Sequence, residues 1–156
     1  MARSDQPALD DIDRRILREL QSEARRPAEI MAEAVGISPS GYRRRVKRLR
    51  ESGIIEREVA LIKADNLSIQ IIVSIVMLEE QADGYDRLKR RCKNADEVTQ
   101  CYTVTGEADL IVHVHMPDMA TFEQWIHDYI LSDPAVRRCT SNVVYSQVKF
   151  ETRVPI

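Results

Sequence analysis

The stretch GISPSGYRRRVKRLRESG, residues 36–53, decides how the first part of this chain folds. Ser38 belongs to the residue types that cap the N-termini of helices. Pro39 suits the first helical position, because the amide there has no intrahelical partner. Gly53 suits the left-handed position at which many helices end. The stretch therefore predicts a helix that begins at Pro39 and ends near Gly53.

One narrow stripe of this helix is apolar and most of the remainder is cationic. Tyr42, Val46 and Leu49 recur at helical spacing and form the stripe. Six of the eight residues from 43 to 50 are Lys or Arg. A helix with such a surface is suited to lie against phosphates. The side opposite the stripe carries the following residues: Ser40, Arg44, Lys47 and Arg48.

A shorter helix is predicted directly before this one, at residues 28–35, and Gly36 supplies a sharp turn between them. A short helix, a glycine turn and a capped basic helix form the helix-turn-helix pattern. The plain alternative is a solvated basic face. A first helix from Leu9 is expected to pack on the other two. Residues 54–62 have strand character and predict a wing or a linker strand.

Charge is distributed unevenly along the chain, whose formal net charge is −2. Residues 1–63 carry 14 Lys and Arg against 11 Asp and Glu, and residues 64–156 carry 9 against 14. A basic first part and an acidic second part suggest two modules, of which the first meets nucleic acid. We expect a flexible segment at 1–8, a DNA-binding domain at 9–63 and a second domain at 64–156.

Cys92, Cys101 and Cys139 show neither CxxC nor zinc-ligand spacing, so they predict reduced thiols and no metal scaffold. No apolar run approaches the ~20 residues of a membrane span, and the first residues lack the apolar core of a signal peptide. We therefore expect a cytoplasmic protein without membrane contact or cofactor. His113 and His115 share one strand face, but without a third ligand they favour a sheet-to-sheet contact over a metal site.

The second half alternates strands and helices. Strands are predicted at 69–78, 98–105, 110–116 and 143–150, and helices from Tyr85 and from the Asp118 cap. This order, β-α-β-β-α-β, predicts a ferredoxin-like domain, so the overall class is α+β. Both helices would cover one face of the sheet. A second copy of the chain is the expected cover for the other face.

Four segments of the first half carry a family resemblance: LDDIDRRIL at 9–17, GISP at 36–39, RVKRL at 45–49 and GII at 53–55. Two segments of the second half add to it: VTGEADL at 104–110 and PDM at 117–119. The first set resembles the winged helix-turn-helix half of the Lrp/AsnC (feast/famine) regulators. The second set resembles their regulatory half, called the RAM domain.

The resemblance implies a transcription regulator that assembles as dimers and often as tetramers or octamers. It also implies a small effector, commonly an amino acid, between regulatory domains near the turn at 105–109. The residues that it places at the effector are Tyr102, Val104, Thr105, Gly106, Glu107, Asp109 and Thr140. In this sequence Glu107 replaces the commoner Asp of the family, and Ala108 replaces the commoner aromatic residue.

Contacts to double-stranded DNA are expected from these residues: Ser38, Ser40, Gly41, Arg43, Arg44, Lys47 and Arg48. Arg45 could equally pair with an acid of the first helix such as Asp13. Gly106 and Asp109 could hold an amino acid by its carboxylate and ammonium, or could simply form and cap a hairpin turn.

Two further classes stay open on the sequence. One is an architectural DNA-binding protein without an effector. The other is an enzyme similar to the sirohaem decarboxylases, which the dense basic helix disfavours.

Overall fold

The computed structural model describes residues 8–62, 67–78 and 82–156. The chain divides into two compact units. The first consists of the residues up to Leu61 together with Lys149–Ile156, and the second of Ile62–Val148. Each unit has its own apolar core.

Three helices form the first unit: α1 at Asp11–Ser22, α2 at Ala28–Val35 and α3 at Pro39–Glu51. The side chain of Asp10 accepts from the Asp13 amide, and the Asp13 side chain accepts from the Asp10 amide, so α1 begins in a capping box. The predicted helix-turn-helix is confirmed. Its core contains Ile16, Leu17, Met31, Ala32, Val35, Tyr42, Val46 and Leu49.

The strand predicted at residues 54–62 is wrong, because the structure assigns no strand to that segment. Ile54 and Ile55 pack instead against the helical core, and the Ile55 amide donates to the Leu49 carbonyl oxygen over 3.0 Å. Residues 56–62 are exposed. A β-strand needs a backbone hydrogen-bonding partner, and the composition of residues 54–62 does not indicate whether one is present.

The last residues of the chain lie on α1, although the sequence assigned them to the second domain. Arg18 Nε donates to the Ile156 carbonyl oxygen over 2.6 Å. Gln21 makes two hydrogen bonds with the Val154 backbone, at 3.1 and 2.6 Å. Ile156 packs against the core of the first unit. Hydrogen bonds and apolar contacts together therefore join Lys149–Ile156 to the helices.

The second unit contains β1 at Ile69–Met77, α4 at Ala82–Asn94, β2 at Val98–Thr103, β3 at Leu110–Met116, α5 at Met119–Ile126 and β4 at Val136–Val143. A π-helical turn at His127–Leu131 continues α5. The sheet order is β2-β3-β1-β4 and every neighbouring pair is antiparallel. The predicted ferredoxin-like β-α-β-β-α-β arrangement is confirmed.

The fourth strand is the main error of the sequence prediction in this unit. It was expected at 143–150 and lies at Val136–Val143, where it pairs with β1. Of the following residues, only the Val144 amide continues the pairing, by donating to the Gln70 carbonyl oxygen over 2.9 Å. Both segments contain β-branched residues, so the choice depended on which of them meets β1.

The sheet has one covered face and one open face. Alternate residues of β1 and β3 pack beneath α4 and α5, where Leu88, Cys92, Phe122, Trp125, Ile126 and Ile130 complete the core. By register, the open face carries Ile72, Ser74, Tyr102, Ile111, His113 and Thr140. In the part of the chain that the structure describes, no helix of the second unit covers that face.

Candidate nucleic-acid interface and effector turn

The N-terminus of α3 is held by serine side chains. Ser38 Oγ accepts from the Gly41 amide at 3.1 Å and lies 3.2 Å from Ser40 Oγ. Pro39 occupies the first turn, as predicted. A Cβ at Gly41 would approach Ser38 Oγ to 3.1 Å, which is closer than most Cβ contacts. Gly41 therefore keeps room for the cap, and the exposed hydroxyls of Ser38 and Ser40 mark the start of the helix.

The cations on the outer side of α3 have different partners. Arg43 pairs with Glu29, and Lys47 lies 3.7 Å from Glu51. In residues 8–62, 67–78 and 82–156 the structure gives Arg44 no acidic partner. These pairs are exposed, and exposed pairs contribute little to stability. Arg43, Arg44 and Lys47 can therefore turn to an incoming phosphate at small energetic cost.

A buried carboxylate anchors the inner cations of α3. Asp13 is 1% exposed. Its Oδ1 atom accepts from Arg45 over 2.8 Å, and its Oδ2 atom accepts from Arg48. Arg45 also donates to Asp10 over 2.7 Å. The hypothesis that Arg45 pairs with Asp13 is confirmed.

Arg48 differs from its sequence interpretation, which left it free to contact DNA. Its side chain is 49% exposed and its guanidinium binds Asp13. Such a pairing restrains the side chain, since removing Arg48 would leave part of a buried carboxylate unpaired. A DNA contact by Arg48 stays a prediction, and any such contact would use the N–H groups that Asp13 leaves free.

The same network changes the titration of Asp10. A hydrogen bond from the Asp13 amide, together with the Arg45 guanidinium, lowers the pKa of Asp10 to about 2. The two carboxylates raise the pKa of Arg45. Asp10 is thus ionised at neutral pH, where it caps α1 and ties α3 to it. The basic helix is held in place by charge as well as by its apolar stripe.

The predicted effector turn follows β2 in the second unit. The Val104 amide donates to the Asp109 carbonyl oxygen over 3.0 Å, and the Asp109 amide donates to the Ile75 carbonyl oxygen over 2.9 Å. Gly106 has a φ of 130°, a conformation that L side chains rarely adopt. Thr105, Gly106 and Glu107 are exposed at the tip. The backbone at the tip of the turn is therefore accessible, while hydrogen bonds hold the residues at its two ends.

Asp109 has a structural role at that base. Its Oδ2 atom accepts from the Met77 amide over 2.8 Å, at the end of β1. The Tyr85 hydroxyl donates to the Asp109 carbonyl oxygen over 3.1 Å. The structure therefore supports the capping interpretation of Asp109. A ligand ammonium would have to use the carboxylate oxygen that Met77 leaves free.

Tyr102 and Thr140, both predicted at the effector, lie far apart within one chain. Tyr102 is paired with Ile111, Ile111 with Ser74, and Ser74 with Thr140, so the four form one row across the open face. The row spans three strand spacings, or about 14 Å. The Tyr102 ring is half-exposed and meets the His113 ring edge-on at 6.2 Å. Two strands therefore separate the backbones of Tyr102 and Thr140.

His113 and His115 lie on the open face, as expected. Burial, with the charge of His115, lowers the pKa of His113. His115 Nδ1 lies 2.9 Å from Ser68 Oγ. Within the described ranges the structure contains no group of three or more His, Cys, Asp or Glu side chains that could hold a metal ion.

Sequence reasoning missed a second buried anchor. Asp133 accepts from Arg87 over 2.9 and 2.6 Å, and Arg91 lies 3.7 Å away. These hydrogen bonds lower the pKa of Asp133. Asp133 precedes Pro134 after the α5 segment, a pattern that by itself indicates only the end of a helix. Its partners are 46 and 42 positions away, too far for local spacing to indicate them.

None of the helices in the part of the chain that the structure describes combines the length and apolarity needed to cross a membrane.

Comparison with known families assigns a description to each half of the chain. Residues 9–56 match the family described as winged helix-turn-helix DNA-binding. Residues 70–154 match the family described as the Lrp/AsnC ligand binding domain. The two matches therefore assign DNA binding to the half that contains α3 and ligand binding to the half that contains the turn.

Individual relatives extend along nearly the whole chain. The leucine-responsive regulatory protein of Escherichia coli is 30% identical over 95% of this chain and 92% of its own length. A HTH-type transcriptional regulator of Sinorhizobium fredii is 35% identical over 95% of this chain and 89% of its own length.

Two solved structures are also similar. A transcriptional regulator of Neisseria meningitidis, in complex with L-Met, matches with a TM-score of 0.87 and 29% identity, covering 95% of this chain and 97% of its own. The feast or famine regulatory protein of M. tuberculosis, complexed with L-methionine, matches with a TM-score of 0.83 and 28% identity, covering 94% and 99%. With its helix-turn-helix and its ligand-binding domain, this chain belongs to the Lrp/AsnC family of transcriptional regulators.

Proposed function

We propose that this regulator recognises its operator with the first turns of α3, and that an amino acid bound by the second unit modulates that recognition. The observation that carries the DNA-binding part is the exposed row of Ser40, Arg44 and Lys47. These residues project from the side of α3 opposite its buried stripe. Arg can bind guanine bidentately, while Lys and the remaining Arg contribute by displacing counterions.

The other predicted DNA contacts divide by the geometry of α3. Ser38 and Gly41 form the cap, so their contribution is to hold the start of the helix and to present the Ser38 hydroxyl to the phosphates. Arg43 exchanges Glu29 for a phosphate. Arg48 steadies the helix through Asp13 and reaches the DNA backbone with its exposed edge.

A gel shift with a matched control tests the assignment. The DNA is the duplex that footprinting selects upstream of the protein's own gene. Arg44→Gln with Lys47→Gln should abolish retention at physiological salt. Arg90→Gln with Lys93→Gln removes the same charge from the exposed side of α4 and should leave retention unchanged. Equal behaviour of the two double variants would contradict the assignment.

For the effector we propose the exposed turn at 104–109. The amides of Thr105, Gly106 and Glu107 can hold an α-carboxylate, and the free oxygen of Asp109 can accept from an α-ammonium. The L-methionine complexes of the N. meningitidis and M. tuberculosis regulators support an amino acid. Tyr102 and Thr140 lie at opposite ends of one row, and we propose that they contribute to one ligand where two copies of the chain meet.

Isothermal titration against the common amino acids tests the effector. We expect heat for one or a few of them, and its loss in Gly106→Val, since a β-branched residue is strained at a φ of 130°. Ala108→Ser, at a half-buried neighbouring position, is the control and should still bind. Absence of heat, with no change of oligomeric state, would favour an effector-independent protein. If a ligand binds, its coupling to DNA binding requires that it bind two assembly states with unequal affinity.

We propose further that a second copy of the chain covers the open face of the sheet. That face carries the paired side chains of Ile111 and Tyr102, with Ile72 on the neighbouring strand. Tyr145 and Val148, which follow β4, are almost fully exposed. Exposed apolar surface of this kind marks an interface. Light scattering should report a dimer or a larger assembly, and Ile72→Lys with Ile111→Lys should reduce it to monomers, whereas Ile30→Lys in the first unit should not.

We propose a regulatory rather than a catalytic role, in the compartment that holds the DNA, which for a bacterial or archaeal regulator is the cytoplasm. The regulator names of its relatives support this role. Incubation with sirohaem followed by absorbance spectroscopy separates the two classes. A spectral change in sirohaem, without DNA retention, would support the enzyme.

A further inference from the structure

The segment Lys149–Ile156 follows the last strand of the second unit but belongs to the first unit. It is named the strap. Residues 145–148, which precede it, are exposed, and the structure assigns neither a helix nor a strand to residues 144–156. The chain therefore passes between the two units twice, once after Leu61 and once through this exposed stretch.

The strap is held on α1 by contacts near its end. Gln21 Nε2 donates to the Val154 carbonyl oxygen over 3.1 Å, and Gln21 Oε1 accepts from the Val154 amide over 2.6 Å. Arg18 Nε donates to the Ile156 carbonyl oxygen over 2.6 Å. The Ile156 side chain is half-buried against the apolar core of the first unit. Because Gln21 binds both backbone groups of one residue, these contacts define which part of the strap docks on α1.

The docking is weak enough to be reversible. All three hydrogen bonds are exposed, and the Val154 side chain is 63% exposed. Such hydrogen bonds replace bonds to water and add little net stability, whereas ordering the strap backbone costs conformational entropy. The docked and the released strap are therefore close in free energy, and a small change elsewhere in the chain can shift the balance between them.

The helix that carries the docking site also holds the DNA-binding helix. Asp13 lies about two turns before Gln21 on α1, and its buried carboxylate accepts from Arg45 and Arg48 of α3. Ile156 adds an apolar contact to the core that α1 shares with α3. A docked strap therefore restrains α1 and, through α1, the position of α3.

We propose that the strap is a releasable connection through which the second unit controls DNA binding. Docked on α1, it keeps the first unit in the conformation that binds DNA, and its release lowers the affinity for DNA. The inference rests on the DNA-binding role proposed for α3, but it assigns the control to a separate place, the docking site on α1. Residues 144–148 separate β4 from the strap and span at most about 20 Å, so a displacement of β4 can act on the strap.

The test uses Gln21→Ala in the full chain, which removes both hydrogen bonds to Val154 without changing the net charge. Hydrogen–deuterium exchange of the α1 amides should accelerate about tenfold. The dissociation constant for the footprinted duplex should rise at least about fivefold. The slope of log K against log salt should stay that of the wild type, because no phosphate contact is removed. Gln124→Ala, at an exposed position of α5, is the matched control and should behave as the wild type in all three measurements.

A rescue experiment separates docking of the strap from a general loss of stability. A variant that ends at Val148 lacks the strap and should bind the duplex weakly, and circular dichroism verifies that it is folded. An acetylated peptide of residues 149–156, added at millimolar concentration, should restore both DNA retention and slow exchange in α1. The same peptide with Ile156→Ser should restore less, because it lacks the apolar contact.

Three results would overturn the proposal. Unchanged α1 exchange in Gln21→Ala would show that the strap does not restrain α1. Faster α1 exchange with wild-type DNA affinity would show that the strap does not control DNA binding. A wild-type peptide that restores no more than its Ile156→Ser form would exclude the docking site. The assignment of α3 fails separately, through an unchanged salt slope in Arg44→Gln with Lys47→Gln.

Discussion

Helices α3 and α4 look alike in the sequence and differ in the structure. Both have 13 residues, and both are amphipathic and rich in cations. Six of eight residues from 43 to 50 are Lys or Arg, and so are five of seven from 87 to 93. By charge density alone, either helix could be the DNA-binding one. What marks α3 is the glycine turn before it and the serine cap with which it begins.

Each helix commits two arginines to one buried aspartate. Asp13 binds two arginines of α3, and Asp133 binds Arg87 with Arg91 3.7 Å away. In α3 the remaining cations lie on the outer side of a capped helix that follows a glycine turn. In α4 the exposed positions also include Asp83 and Asp86. We propose that the position of cations on the outer side of a capped helix after a glycine turn, rather than their density, indicates the nucleic-acid surface.

Truncating the apolar anchor of each helix should have the largest effect. Leu49 and Leu88 are both buried, and replacing either with Ala leaves a cavity that costs about 2–5 kcal/mol of folding free energy. Hydrogen–deuterium exchange reads the two units separately. Leu49→Ala should accelerate exchange in the first unit, and Leu88→Ala in the second.

The control for this pair is Leu61→Ala, which truncates a side chain that is 62% exposed and should change exchange little. If either core variant accelerated exchange equally in both units, the division of the chain into two cores would be wrong.

Neutralising the two buried aspartates should have a smaller effect. Asp13→Asn and Asp133→Asn each remove a buried carboxylate from two guanidiniums, and each should cost about 2 kcal/mol, because the arginines remain partly solvated. Urea denaturation measures the change. Asp11→Asn, in the exposed first turn of α1, is the matched control and should lie within about 0.5 kcal/mol of the wild type. If the free energy of unfolding decreased in only one of the two aspartate variants, the two buried carboxylates would not be equivalent.

The smallest expected effect concerns acid pH. The pKa of Asp10 is about 2 in the folded chain against an ordinary 3.8, so its charge stabilises the fold above about pH 4 and this contribution disappears as the pH falls towards 2. Asp10→Asn keeps a capping side chain but does not titrate. Stability measured between pH 4 and 2 should therefore decline less steeply in Asp10→Asn. An identical decline in both proteins would show that the Asp10 carboxylate does not stabilise the fold.

Local patterns predicted most of the fold. The period of the apolar residues located the helices, and strict alternation gave β3 at Leu110–Met116 without error. The Ser38 cap and the Gly36 turn were also predictable, because each depends on neighbouring residues. The predicted wing strand and the position of β4 were wrong because strand formation depends on a distant partner.

In the candidate sites too, features set by neighbouring residues were predictable and features set by distant partners were not. The outward position of Arg44 and Lys47 followed from helical projection. The partners of Arg48 and Asp109 did not, since Asp13 and Met77 lie more than thirty residues away in the sequence.

The salt dependence of DNA binding tests most directly whether α3, and not α4, meets the phosphates. The dissociation constant for a duplex is measured from low to physiological salt for the wild type and for the two double variants. With Arg44→Gln and Lys47→Gln, the slope of log K against log salt should decrease by about 2 for each bound helix. With Arg90→Gln and Lys93→Gln, the slope should equal that of the wild type. A slope lowered by the α4 variant and unchanged by the α3 variant would contradict the account.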